Sequence, residues 1–118
     1  MRGHTSLGKG GTSVELSIDV QREGDDAVVH LAGELDISTS PDLQDALAEL
    51  TDKPRRVAVD LSDLEFMDST GLAALLGAHK ALAEQGGVLE LRHPNKMVVG
   101  LVQITGLDDV FEIRLSSS

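Results

Sequence analysis

The segment Phe66-Met67-Asp68-Ser69-Thr70-Gly71-Leu72 puts two hydroxyls directly after a carboxylate, where a loop passes into a helix. The plainest role for that pattern is helix capping, and either Asp68 or Ser69 qualifies as the cap. A more demanding role is nucleophilic attack, which needs a base and a sharp exposing turn. Ser69 has no Gly-x-Ser-x-Gly elbow around it, and no nearby sequence suggests a triad. His4, His30, His79 and His93 show no metal-ligand spacing. His79 falls on an apolar helix stripe and reads as a core residue. Gly86-Gly87 reads as a helix stop with no phosphate-loop lysine after it. With no cysteine in the chain, thiolate metal sites, disulfides and Cys nucleophiles are excluded. These residues predict no enzyme, no cofactor and no metal. A second acidic position, Asp36, ends the extended segment Gly33-Glu34-Leu35-Asp36; from the residues alone it reads as a turn cap.

A chain of 118 residues has room for one domain and one core. Hydrophobic residues make up 41% of it but aromatics only 2%, so Leu, Val, Ile and Ala must build that core. Base-stacking platforms are therefore scarce. The formal charge of −10 would repel a nucleic-acid backbone and an anionic membrane alike. A protein partner with a basic face is the better expectation. No signal peptide is visible, and no apolar run approaches the roughly 20 residues that span a bilayer. The expected address is the cytoplasm.

The elements that must position these residues follow from periodicity. Residues 1–12 are Gly-rich, polar and aperiodic, predicting a disordered tail before a domain over 13–115. Val14, Leu16, Ile18 and Val20 alternate as in a half-buried strand, and a turn at Gly24-Asp25-Asp26 leads to a second strand over 28–31. Ser40-Pro41 predicts a helix start with Ser40 as cap, and Leu43, Ala46, Leu47 and Leu50 form its stripe. Val57 to Leu61 reads as a short buried strand, followed by a loop carrying Phe66-Met67-Asp68. A second helix begins near Ser69, with Leu72, Leu75, Leu76, His79 and Leu82 on one face. A strand over 88–91, a helix with Met97, Val98, Leu101 and Val102 ending at Gly106, and a strand over 110–113 complete the chain. The two β-α-β units of the second half require parallel pairing with right-handed crossovers. The prediction is an α/β fold: a mixed sheet of four or five strands with helices packed against it, the second and third helices on one face.

Four segments, in this order, carry a resemblance. Gly33-Glu34-Leu35-Asp36, Val57-Ala58-Val59-Asp60-Leu61-Ser62, Asp68-Ser69-Thr70-Gly71-Leu72 and Ile104-Thr105-Gly106-Leu107-Asp108-Asp109-Val110-Phe111 together resemble the STAS domain of bacterial anti-sigma factor antagonists. The resemblance spans residues 14–114. It implies a partner-switching protein: the unphosphorylated form binds an anti-sigma factor serine kinase and releases the sigma factor, and a serine phosphatase reverses the modification. By the same resemblance Ser69 is the phosphorylated residue, and Asp36, Asp68, Ser69, Thr70 and Gly71 contribute to partner binding. Thr70 is an alternative phosphoacceptor or a first-turn helix residue. The resemblance also admits a STAS scaffold or transport accessory subunit that works without serine phosphorylation. A phosphate at a helix start adds roughly −1.5 to −2 charge where the helix dipole tolerates it. A partner surface fitted to a neutral hydroxyl would not tolerate it.

Overall fold

The first alternating segment forms β1 (Ser17–Glu23), which turns through Gly24, at φ 64°, into β2 (Asp26–Leu35). The computed structural model describes residues 16–50 and 54–114; the tail expected over 1–12, the ends of the expected domain and Val14 lie outside them. After β2 come α1 (Ser40–Ala48), β3 (Arg56–Met67), α2 (Ser69–Glu84), β4 (Val88–Arg92) and α3 (Lys96–Ile104). A 3-10 turn over Leu107–Asp109 leads to β5 (Glu112–Arg114). Val110, expected to open the last strand, is instead exposed before it. Among the described residues no helix is long and apolar enough to cross a membrane.

The five strands lie side by side in chain order. β1 pairs antiparallel with β2, and every later neighbour is parallel. The mixed five-stranded sheet is as expected, but it contains three crossovers rather than two, because α1 also links parallel neighbours. Right-handed crossovers that all step in one direction must all lie on one face. Burial agrees with this. Val29 and Leu31 of β2, Val57, Val59 and Leu61 of β3, and Leu89 and Leu91 of β4 share one core with Leu43, Leu72, Leu75, Leu82, Val98 and Val102 of the helices.

β3 corrects the sequence reading most. It runs 12 residues and includes Phe66 and Met67, which were expected in a loop. Its register against β2 slips twice: His30 pairs with Asp60 and Ala32 with Asp63, then Gly33 pairs with Leu64 and Glu34 with Phe66. Each slip inserts one extra residue into β3, as a bulge does. The core-facing residues therefore fall at Leu61, Leu64 and Met67, three apart instead of two. Alternation is lost although the chain stays extended.

The other face of the sheet is charged. Asp19, His30, Asp60, Arg92 and Arg114 are successive register partners across all five strands. In the adjacent row Glu90 is only 1% exposed, yet it is ringed by cations. It accepts hydrogen bonds from Nε of Arg114 and, at 3.1 Å, from Nε of Arg92, while Nη1 of Arg56 lies 3.6 Å away and also meets Glu112 at 2.9 Å. Burial alone would push the Glu90 carboxyl up, but the bonds and charges of Arg114 and Arg92 hold it below the usual carboxylate value.

His30 is clamped at the first slip, with Nδ1 3.2 Å from Asp60 and Nε2 2.9 Å from Asp63. Burial would lower its pKa, but the hydrogen bonds and charges of Asp63 and Asp60 outweigh it and raise the imidazole above 6.5. Asp19 faces it from β1. A raised folded-state value means the stabilisation is complete below about pH 6.5 and is lost as pH climbs through the folded value. Asp60, held below 3.8, has the opposite window: its contribution is lost on acidification. Unfolding free energies measured by urea from about pH 5.5 to 8.5 should fall more steeply for wild type than for His30→Gln. Parallel curves for the two proteins would contradict the clamp.

Candidate functional site

Asp68 follows the last residue of β3 and is the cap of α2. Its side chain accepts a 2.9 Å bond from the Gly71 N–H, and its carbonyl accepts from the Leu72 N–H at 3.0 Å. Of the two candidate caps, Asp68 therefore has the role and Ser69 does not. The Asp68 N–H donates to the Leu35 carbonyl at 3.2 Å, which ties the start of α2 to the end of β2. Ser69, the first residue of α2, is exposed, and its hydroxyl makes no hydrogen bond to any described residue. Thr70 beside it is half-buried.

Gly71 is buried where α2 presses on the strand ends. A Cβ there would sit 2.7 Å from both Cγ and the carbonyl oxygen of Leu35, and 3.0 Å from Cγ of Met67. Only a residue without a side chain fits this approach. The glycine sets how closely the start of α2 is held to the ends of β2 and β3.

Asp36 holds the turn between β2 and α1. Its Oδ1 accepts from the Ser38 N–H at 3.0 Å, the Ser38 hydroxyl at 2.8 Å and the Thr39 N–H at 3.2 Å. Chiefly the Ser38 hydroxyl, with the backbone bonds and against the cost of burial, holds the carboxyl below its ordinary value. The Asp36 N–H donates to the Thr39 hydroxyl at 2.9 Å, and that hydroxyl in turn donates to the Glu34 carbonyl at 2.9 Å. Ser40, expected as the cap of α1, is already helical; Thr39 precedes it at the cap position, and the Ser40 hydroxyl donates back to the Asp36 carbonyl at 2.6 Å. The Asp36 side chain thus performs the turn-holding role, while its Oδ2 meets no donor among the described residues.

Two residues to which sequence reasoning gave no role also lie in the segments at these strand ends. Ile37, in the turn, is 71% exposed, and Phe66, paired with Glu34, is 44% exposed. Phe66 carried no periodic signal, because the two register slips hide which residues of β3 face the core. Ile37 carried no signal beyond being apolar in a polar turn. Segments 33–38 and 63–70 hold five acidic residues and no Lys or Arg. His79 stands apart, edge-on to Phe111 with ring centroids 5.7 Å apart. Among the described residues no three His, Cys, Asp or Glu side chains group as metal ligands.

A sheet stepping in chain order, helices on one face and an exposed hydroxyl just inside a carboxylate-capped helix define a STAS-type module. The chain belongs to that family: the family model described as "Mlab, STAS domain" matches residues 18–115. It is 34% identical to the anti-sigma-B factor antagonist of Bacillus subtilis over 104 residues, covering 88% of this chain and 95% of the relative. The anti-sigma-B factor antagonist of Listeria monocytogenes is 35% identical over 103 residues, covering 86% and 90%. Among solved structures, an anti-sigma factor antagonist from Mycobacterium paratuberculosis superposes with a TM-score of 0.78 at 28% identity, covering 86% of this chain and 87% of that one. SpoIIAA in its unphosphorylated form, at 21% identity and TM-score 0.75, covering 86% and 90%, shares the fold.

Proposed function

We propose that this chain is an anti-sigma factor antagonist whose binding to an anti-sigma factor serine kinase is switched off by phosphorylation at Ser69. A serine phosphatase restores the binding form. The observation that carries this reading is the separation of roles at the start of α2. Asp68 holds the helix, so the neighbouring Ser69 hydroxyl is exposed and uncommitted. In the transfer, the Ser69 oxygen attacks the γ-phosphorus of ATP held by the kinase, ADP leaves, and the hydroxyl proton passes to a base of the kinase. The phosphatase then hydrolyses the ester to phosphate and the free hydroxyl. The chain itself supplies the acceptor and no catalytic group. Asp36, Asp68 and Thr70 form the contact surface with it, and the buried Gly71 contributes by holding α2 close against the strand ends. Since the partners act on transcription, the reading implies work in the cytoplasm.

The test is direct. Wild type incubated with the anti-sigma factor kinases of its own cell and ATP should gain one phosphate on the tryptic peptide from Val57 to Lys80. Fragmentation should map it to Ser69, and the Ser69→Ala protein should gain none. Phosphate on Thr70 instead, or no phosphate with any of these kinases, would overturn the proposal.

A further inference from the structure

We infer that Ile37 and Phe66 are the apolar anchors of the partner interface at Ser69, and that they enter an apolar pocket bordered by Arg or Lys on the anti-sigma factor kinase. The inference rests on the reading above and adds what that reading lacks, a source of affinity. Ser69 and its polar neighbours can switch an interface, but tight protein contacts draw most of their energy from a few buried aromatic or aliphatic anchors.

The chain has two aromatic side chains of the Phe, Trp or Tyr type. Phe111 is buried in the core. Phe66 is 44% exposed, at the end of β3, two residues from Asp68. Its exposure follows from the second register slip, which takes it out of the core-facing set of Leu61, Leu64 and Met67. Ile37 is 71% exposed at a position where turns normally place polar residues. The turn that carries it is fixed by the Asp36, Ser38, Thr39 and Ser40 hydrogen bonds. An apolar side chain held out on a fixed turn loses little conformational freedom on docking, which favours affinity. The Asp68 N–H to Leu35 carbonyl bond joins the two segments that carry the anchors and the exposed serine.

Charge selects the occupant. Glu34, Asp36, Asp63, Glu65 and Asp68 lie in the same two segments, with no Lys or Arg among them. A second copy of this chain, at net charge −10, would bring like charge to that rim. A basic-rimmed apolar pocket complements it.

The test measures affinity of Ile37→Ala and Phe66→Ala for the purified kinase that phosphorylates wild type, beside Ser69→Glu and Ile104→Ala. Ile104 is 85% exposed at the far end of α3 and serves as the control. Each anchor variant should bind at least about tenfold more weakly, with an unchanged thermal melt, while Ile104→Ala binds as wild type. Anchor variants within about twofold of wild type, with Ser69→Glu not binding, would overturn this inference and leave the phospho-switch standing. Equal weakening by Ile104→Ala would also overturn it, since the effect would not be local. If Ser69→Glu binds like wild type, the underlying reading fails and the anchors fall with it.

Discussion

Ser69→Glu is expected to lose kinase binding by at least about a hundredfold while melting no lower than wild type. The two halves of this result have separate causes. Stability is protected because the cap belongs to Asp68, whose bond to the Gly71 N–H does not involve the Ser69 side chain. An acidic group in the first helical turn even gains about 0.3–1 kcal/mol from the dipole. Binding is lost because a carboxylate at an exposed contact position must be desolvated against a surface shaped for a hydroxyl. Ser69→Ala should fold and bind but stay permanently in the binding state, since it accepts no phosphate. Calorimetric titration with the kinase and thermal melts of the same preparations make the comparison. Ser69→Glu that binds as tightly as wild type defeats the switch. Ser69→Glu that unfolds would show instead that the serine matters to the fold.

The largest stability effect is expected on the opposite face of the sheet. Glu90→Ala should cost about 3 kcal/mol, near the lower end of the range for breaking a buried ion pair. The loss combines a void at a position only 1% exposed with the mutual repulsion of Arg56, Arg92 and Arg114. The arginines are each about a third exposed or more, so water recovers part of their solvation and moderates the loss. Arg114→Ala, by contrast, removes the most exposed partner and should cost less than about 1 kcal/mol. Urea unfolding of the three proteins separates these cases. A Glu90→Ala protein within about 1 kcal/mol of wild type would mean the cluster is held together by the strands rather than holding them.

Glu90 also shows where the sequence stopped being informative. In the run Val88 to Leu91 it reads as the outward residue of a strand, and so it is. Its burial comes from Arg56 and Arg114, remote in the chain and brought alongside by strand order. Local periodicity carries the helices well, because Leu72, Leu75 and Leu82 or Val98 and Val102 declare one face at a fixed repeat. It carries the order of elements too. It does not say which strand lies beside β2, and so the crossover through α1 was missed. It fails within β3 for another reason: two inserted residues change the inward spacing from two to three, and extended chain then looks irregular. At the site, the segment around Ser69 was legible through its resemblance. Asp68 and Ser69 are both good caps, so only the bond to Gly71 distinguishes them. Asp36 was open between two readings, and the hydrogen bonds around it show the turn role directly.

The division of labour between Asp68 and Ser69 has a consequence for the lifetime of the protein in the cell. Degradation and chaperone capture follow the small population that is transiently unfolded, and a change of 1–2 kcal/mol alters abundance several-fold. Were the proposed phosphoacceptor itself the cap, each round of phosphorylation would alter that population, and the two forms would be cleared at different rates. With the cap assigned to the preceding carboxylate, a phosphate on Ser69 would leave the bond that caps α2 in place. On the proposed reading both forms would then age alike. The ratio of the two forms would record the opposing modifying activities, undistorted by differential turnover.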